Sequence, residues 1–229
     1  MTEREKILAR IREALTVQAL PPEGHNGNGK PTPSAAPLLA RTRQWLPSVG
    51  DSFEEQLAAF QQNAASLKAD FYALNDHDEL EKLLLEFRGL ESWKKTASHA
   101  GELTDSVLPA LGLPVLKTDS GCDVNELEKC DVGITECDAL IAQTGSVLVT
   151  NRSAGGRRLS VLPPHHIVLA RREQLLRDLP AAFEFLKQKY GANFPSMISF
   201  ITGPSRTGDI ERILVLGAHG PKKLTIFLI

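Results

Sequence analysis

DVGITECDALIAQTGSVLVTN, residues 131–151, carries three apolar segments in close succession. DVGIT (131–135) reads as a strand, and ALIA and VLVTN flank QTGS as the two arms of a hairpin around a glycine-bearing turn. Working outward, HIVLA (166–170), MISFITG (197–203) and LTIFLI (224–229) are further strands on the C-terminal side. PVLK (114–117), KTASH (95–99) and DFYAL (70–74) are strands on the N-terminal side. Helical patterns lie between them. Ser52 and Glu55 form a capping box that opens a helix with Phe53, Leu57, Phe60 and Ala64 on one stripe. HDELEKLLLEF, a short stretch near 103–112, and the run from Arg171 to Tyr190 complete the helices. Strands alternating with helices predict an α/β fold: a mixed, largely parallel sheet with helices on both faces, the hairpin supplying the antiparallel part.

The N-terminus follows another pattern. Thr2 and Glu5 make a second capping box, and Ile7, Ile11 and Leu15 recur on one face of a helix expected over about residues 3–16. PPEGHNGNGKPTPSAAP (21–37) buries too little apolar surface to offset its ordering entropy and reads as a linker. The expected organisation is therefore a helical arm (1–20), a flexible linker (21–40) and an α/β domain (41–229). An arm on a tether is a device for pairing subunits, so one expectation is a homo-oligomer held through it and the other is a loosely docked arm.

Composition narrows the partners. The 229 residues carry a net charge of −2, but residues 151–229 hold 12 lysines and arginines against 5 acids, and the rest hold 14 against 23. A basic half suits a small anionic metabolite or an acidic partner surface. No basic run is interleaved with aromatics, so nucleic acid is not expected. No apolar run reaches the length of a membrane span, and the charged N-terminus is no secretory signal, so a cytoplasmic protein is expected. Cys122, Cys130 and Cys137, an odd number at wide spacing, read as free thiols rather than as disulfides or metal ligands.

The densest chemistry lies in GPSRTGDIERILVLGAHGP (203–221). Gly203, Ser205, Arg206 and Thr207 suit an anion clamp, with Arg206 as a bidentate donor; the alternative is a helix cap beside a solvated arginine. Asp209 suits a partner that fixes the direction of Arg206. Glu211 is a candidate general base or one half of a structural ion pair. His219, between small residues, is a candidate acid or base, or a turn histidine bonded to a carbonyl. Upstream, Thr144, Gly145 and Ser146 offer two hydroxyls and an approachable backbone to a carboxylate or phosphate, or form a simple hairpin turn. Of His165 and His166, one is expected to point inward, with His166 the candidate binding residue, and the other to face solvent. Arg152, Arg157 and Arg158, with Gly155 and Gly156 between, read as a mobile loop that closes over an anion or as a solvated face.

These motifs carry a resemblance. GPSRTGDIE, then GAHGP before LTIFLI, resembles the signature of the lactate utilisation protein C family, also called the LUD-domain family. Ala142-Gln143-Thr144-Gly145-Ser146 is similar to its Ala-Glu-Thr-Gly-Thr element, and Pro163 to Ile167 to its Pro-rich approach to a His-Ile strand. Gln143 replaces the family's acid and Ser146 its threonine, so no acid–base role carries over to position 143. The resemblance implies the fold of ribose-5-phosphate isomerase, glucosamine-6-phosphate deaminase and the CoA transferases, with ligands at the carboxyl ends of the strands. It also implies a non-iron–sulfur component of an L-lactate-oxidising system that binds a small anionic metabolite or docks iron–sulfur partner proteins. The chain has no cluster motif, GxGxxG or flavin signature, and no cofactor or metal of its own is expected. The alternative is a stand-alone isomerase, cyclo-ligase or CoA-transferase-like enzyme acting on an anionic metabolite.

Overall fold

A computed structural model describes residues 47–207, 215–217 and 219–229, with the backbone alone at 207, 215 and 216. The helical arm and the linker expected over 1–40 lie outside the described residues.

Helix α1 (Phe53–Ser66) begins at the capping box read from the sequence, Ser52 and Glu55 each bonding the other's backbone N–H. After it come β1 (Asp70–Ala73), α2 (His77–Glu91), β2 (Thr96–Ser98), α3 (Glu102–Leu111), β3 (Val115–Lys117) and α4 (Val124–Glu128). The Asp76 carboxylate caps α2 by accepting the Glu79 N–H at 2.9 Å. Helix α3 starts on glycine, which has no side chain to cap with. The Glu136 carboxylate takes that role instead, accepting from Leu103 N at 2.8 Å and Thr104 N at 3.3 Å.

The second half comprises β4 (Val132–Glu136), β5 (Ala139–Ile141), β6 (Ser146–Thr150), β7 (His165–Ala170), β8 (Leu175–Leu176), α5 (Leu179–Tyr190), β9 (Ile198–Ile201), β10 (Arg206–Thr207), β11 (Val215–Leu216) and β12 (Lys223–Leu228). Six strands form a parallel sheet in the order β1-β12-β7-β4-β2-β3. Its central strand β7 is buried throughout, which is why HIVLA shows no alternation with polar residues. The fold is thus α/β, with a largely parallel strand set.

Two features differ from the sequence reading. The hairpin β5–β6 does not join the parallel sheet but forms a second one, in the order β8-β5-β6-β9. Both its faces are apolar. Leu140, Val147 and Val149 meet Val168, Ile226 and Leu228 of the parallel sheet, together with Phe60 and Ala64 of α1. Ala139, Ile141 and Leu148 meet Ala182 and Leu186 of α5. The far face of the parallel sheet is covered by α2 and α3 through Leu80, Leu84, Val107 and Leu111. The other difference is the run from Arg171 to Tyr190, which is not one helix. Leu175 and Leu176 pair with Leu140 and Ile141, and the helix starts only at Leu179. There Asp178 caps the Ala181 N–H, and Pro180 sits in the first turn, where its missing N–H costs nothing.

Candidate functional site

A cavity of about 250 Å³ opens where the first residues of β7 and β12 face β9. His166 and Leu224 come from the parallel sheet, and Ser199 and Ile201 from β9. Gly203 to Ser205 and His219 to Pro221 close it from the C-terminal motif, and Ser160 and Val161 from the segment before β7. The two C-terminal pieces are laced together: Ser205 N donates to Pro221 O and Gly217 N to Ser205 O, both at 2.9 Å. Gly220 packs so closely that an added Cβ would stand 3.1 Å from that of Ser205. Gly203 to Ser205 and His219 to Pro221, separate in sequence, thus form one wall.

The cavity lies at the amino ends of β7 and β12, not at the carboxyl ends. The reason is local. The GPSRT loop follows β9, which belongs to the second sheet and runs antiparallel to β6. The loop after β9 therefore meets the QTGS turn that precedes β6, and the two share the end of that sheet. At the carboxyl edge of β2, β4 and β7 the groups are already paired. His99 Nε2 accepts the Glu136 N–H at 3.0 Å, Glu136 caps α3, and Arg171 reaches both Glu136 and Glu102.

His166 is fully buried, with Nε2 2.9 Å from Thr135 Oγ1 and Nδ1 without a hydrogen-bond partner among the described residues. Burial, reinforced by neighbouring His165, pushes it down to about 3, so its ring is neutral. His165 does not face solvent as expected. A central strand is covered on both faces, so His165 enters the opposite core, packed edge-on against Phe87 and Trp93 with Nε2 2.9 Å from Thr225 Oγ1. Burial takes it down to about 4, Glu91 opposing and Lys223 adding to the shift.

Gly203, Ser205 and His219 line the cavity, with His219 exposed. Arg206 is exposed and does not line it; its Nη2 lies 3.2 Å from where a Cβ on Gly203 would stand. Thr207 pairs with Val215 through the backbone. Asp209 and Glu211 lie outside the described residues.

Thr144, Gly145 and Ser146 form a closed hairpin turn outside the cavity lining. Asn63 of α1 donates to Ala142 O at 2.8 Å and Gln143 O at 3.1 Å, and a Cβ on Gly145 (φ +62°) would come within 2.8 Å of Ala64 N. The turn reaches the cavity only through a hydroxyl chain. Ser146 Oγ stands 2.8 Å from both Thr144 Oγ1 and Thr202 Oγ1, and Thr202 lines the cavity. Gln143 points elsewhere, donating to Pro47 O.

Ser160, Met197, Ser199 and Thr202 were missed by the sequence reading. Ser199 and Thr202 sit inside or beside an apolar strand, and only pairing in the second sheet brings them to the cavity. Among the described residues, no three His, Cys, Asp or Glu stand close enough to hold a metal ion, and no helix is long and apolar enough to cross a membrane.

Comparison with known proteins agrees with this architecture. The LUD domain family matches residues 116–229. The chain is 38% identical to lactate utilization protein C of Shouchella clausii over 106 residues, 46% of each chain. Its identity to lactate utilization protein C of Bacillus subtilis is 32% over 126 residues, 53% of this chain and 52% of that one. The chain therefore spans about half the length of the curated relatives it matches. A crystal structure of a DUF162 family protein from Deinococcus radiodurans superposes with a TM-score of 0.60 at 22% identity, over 78% of this chain and 99% of that one, and shows the same fold. Residues 116–229 of the chain are therefore a LUD domain.

Proposed function

We propose that this LUD-domain chain serves in lactate utilisation by holding a small anionic metabolite in the cavity at the amino ends of β7 and β12. The observation that carries the reading is one of location. Every residue that lines the cavity lies between Ser160 and Leu224, inside the segment shared with the LUD family. A short hydroxy or keto acid has an apolar end and a polar end. The cavity supplies Val161, Ile201 and Leu224 for the first, and the hydroxyls of Ser160, Ser199, Thr202 and Ser205 for the second. Neutral His166 can donate or accept a hydrogen bond but brings no charge. The balancing positive charge in this reading is that of Arg206, which does not line the cavity but stands beside Gly203, which does. In this reading the chain is the component of a lactate-oxidising system that presents the metabolite to iron–sulfur partner proteins.

Thermal unfolding against L-lactate, pyruvate, citrate, a sugar phosphate and an acyl-CoA tests it. A ligand that binds only the native state raises the midpoint by mass action. The expected result is a rise with lactate or pyruvate that shrinks in Arg206→Ala. No rise with any carboxylate at millimolar concentration overturns the metabolite reading. Loss of partner binding in Arg206→Ala without loss of a ligand shift would make the loop a docking surface instead.

A further inference from the structure

A second cavity, of about 270 Å³, lies on the other side of the segment that precedes β7. Arg157, Arg158, Gly156, Thr118 and Cys122 line it, over an apolar floor of Leu127 and Leu159. Thr118 directly follows β3, and Gly155 packs on His99, which directly follows β2. The cavity therefore stands by the carboxyl ends of two parallel strands, where open α/β sheets place their ligands.

The arginine-bearing loop, expected from sequence as mobile or merely solvated, is pinned along its length. Ser153 donates to the buried Asp138 carboxylate and accepts the Thr150 N–H at 2.9 Å. Ala154 N donates to Thr150 O and Gly156 N to Asn151 O, both at 3.1 Å. Thr118 donates to Gly155 O at 2.7 Å. Gly155 (φ +62°) is clamped so tightly that a Cβ would fall 2.4 Å from that of His99. Gly156, by contrast, has φ +104° and nothing within 4 Å of its Cβ position, so a ligand can come close to it although its N–H is already bonded to Asn151 O. Arg157 is steadied by one bond, to Ser196 O at 3.0 Å. Among the described residues no ion pair uses Arg157 or Arg158. Asp119 and Asp123, which follow the lining residues Thr118 and Cys122, accept backbone N–H groups, Asp119 that of Ala100 and Asp123 that of Asn125 at the start of α4.

The geometry points to a second binding site, in this cavity, for a small molecule carrying a phosphate or pyrophosphate group. A carboxylate has two oxygens, which one guanidinium fork satisfies. Two forks beside the free space at Gly156 suit a group with three oxygens and up to two negative charges. The site is separate from the cavity assigned to the metabolite and does not depend on that assignment.

Calorimetric titration of the full chain with pyrophosphate, inorganic phosphate and, as carboxylate control, L-lactate tests the proposal. Pyrophosphate binding is expected to weaken about tenfold or more in Arg157→Gln and in Arg158→Gln, and to vanish in the double variant. Arg158→Lys keeps the charge without the planar fork and should fall between wild type and Arg158→Gln, which guards against a variant that fails to fold. Ser199→Leu, which narrows only the first cavity, should leave pyrophosphate binding unchanged. The proposal is overturned by no phosphate binding at millimolar concentration, by binding that survives in the double variant, or by loss of binding in Ser199→Leu alone.

Discussion

His165 and His166 are neighbours in sequence but enter different cores, because β7 is covered on both faces and adjacent side chains of a strand point oppositely. Burial makes both rings neutral, which ties stability to pH. In the unfolded chain a histidine takes up a proton near its ordinary value of 6.5; in the fold His165 does so only at about 4 and His166 at about 3. Between those limits the unfolded state binds more protons, so stability falls as pH falls, by about 1.4 kcal/mol per pH unit for each histidine. Urea unfolding at pH 7, 6 and 5 should show a steep loss below pH 6.5, and His165→Asn should remove about half of the slope. A flat profile, or an unchanged slope in the variant, would show that the rings are hydrated. The apolar residues around HIVLA reveal the strand in sequence. That both histidines are buried depends on which strands flank β7, and this is settled only by the chain's long-range order.

Among the elements, α5 is held to the second sheet by more than its apolar stripe. The Asp138 side chain, just before β5, is fully buried and accepts hydrogen bonds from Lys189 at 2.7 Å, from Tyr190 at 2.6 Å and from Ser153. Burial pushes its carboxyl up, but the bonds from Lys189, Ser153 and Tyr190 outweigh burial, so it stays ionised and below its ordinary range. Asp138→Ala should cost about 2–4 kcal/mol in urea unfolding, with an unchanged denaturant slope, and Asp138→Asn less. A cost below about 0.5 kcal/mol would show that the cluster is solvated rather than structural. Nothing in the composition of ECDAL marks this aspartate, since its partners are 15 to 52 residues away. The glycine of DVGIT is likewise explained only by the fold. Gly133 lies where the chain before β7 crosses β4, and an added Cβ would come within 2.7 Å of Leu159 O. Capping signals proved more legible: Ser52 with Glu55 marked α1, whereas reading Arg171 to Tyr190 as one helix overlooked Asp178 and Pro180 as a start signal.

Across the whole molecule, the parallel sheet, its covering helices and the second sheet are arranged so that the C-terminal motif closes a cavity at one edge while the arginine loop overhangs another. The sequence made the α/β class and the strand order along the chain readable, because buried parallel strands are short uninterrupted apolar runs. It did not reveal that the hairpin forms a separate sheet with β8 and β9, and that separation puts the cavity beside the C-terminal motif at the amino ends of β7 and β12, where the resemblance implied the carboxyl ends. The binding claim is tested most directly by calorimetric titration of L-lactate and pyruvate into the full chain beside Ser199→Leu, whose larger side chain occupies the first cavity. Saturable binding of one of the two acids by the wild type, lost in Ser199→Leu while pyrophosphate binding persists, is the predicted result. Binding that survives in the filled cavity, or no binding of either acid by a folded wild-type chain, would contradict it.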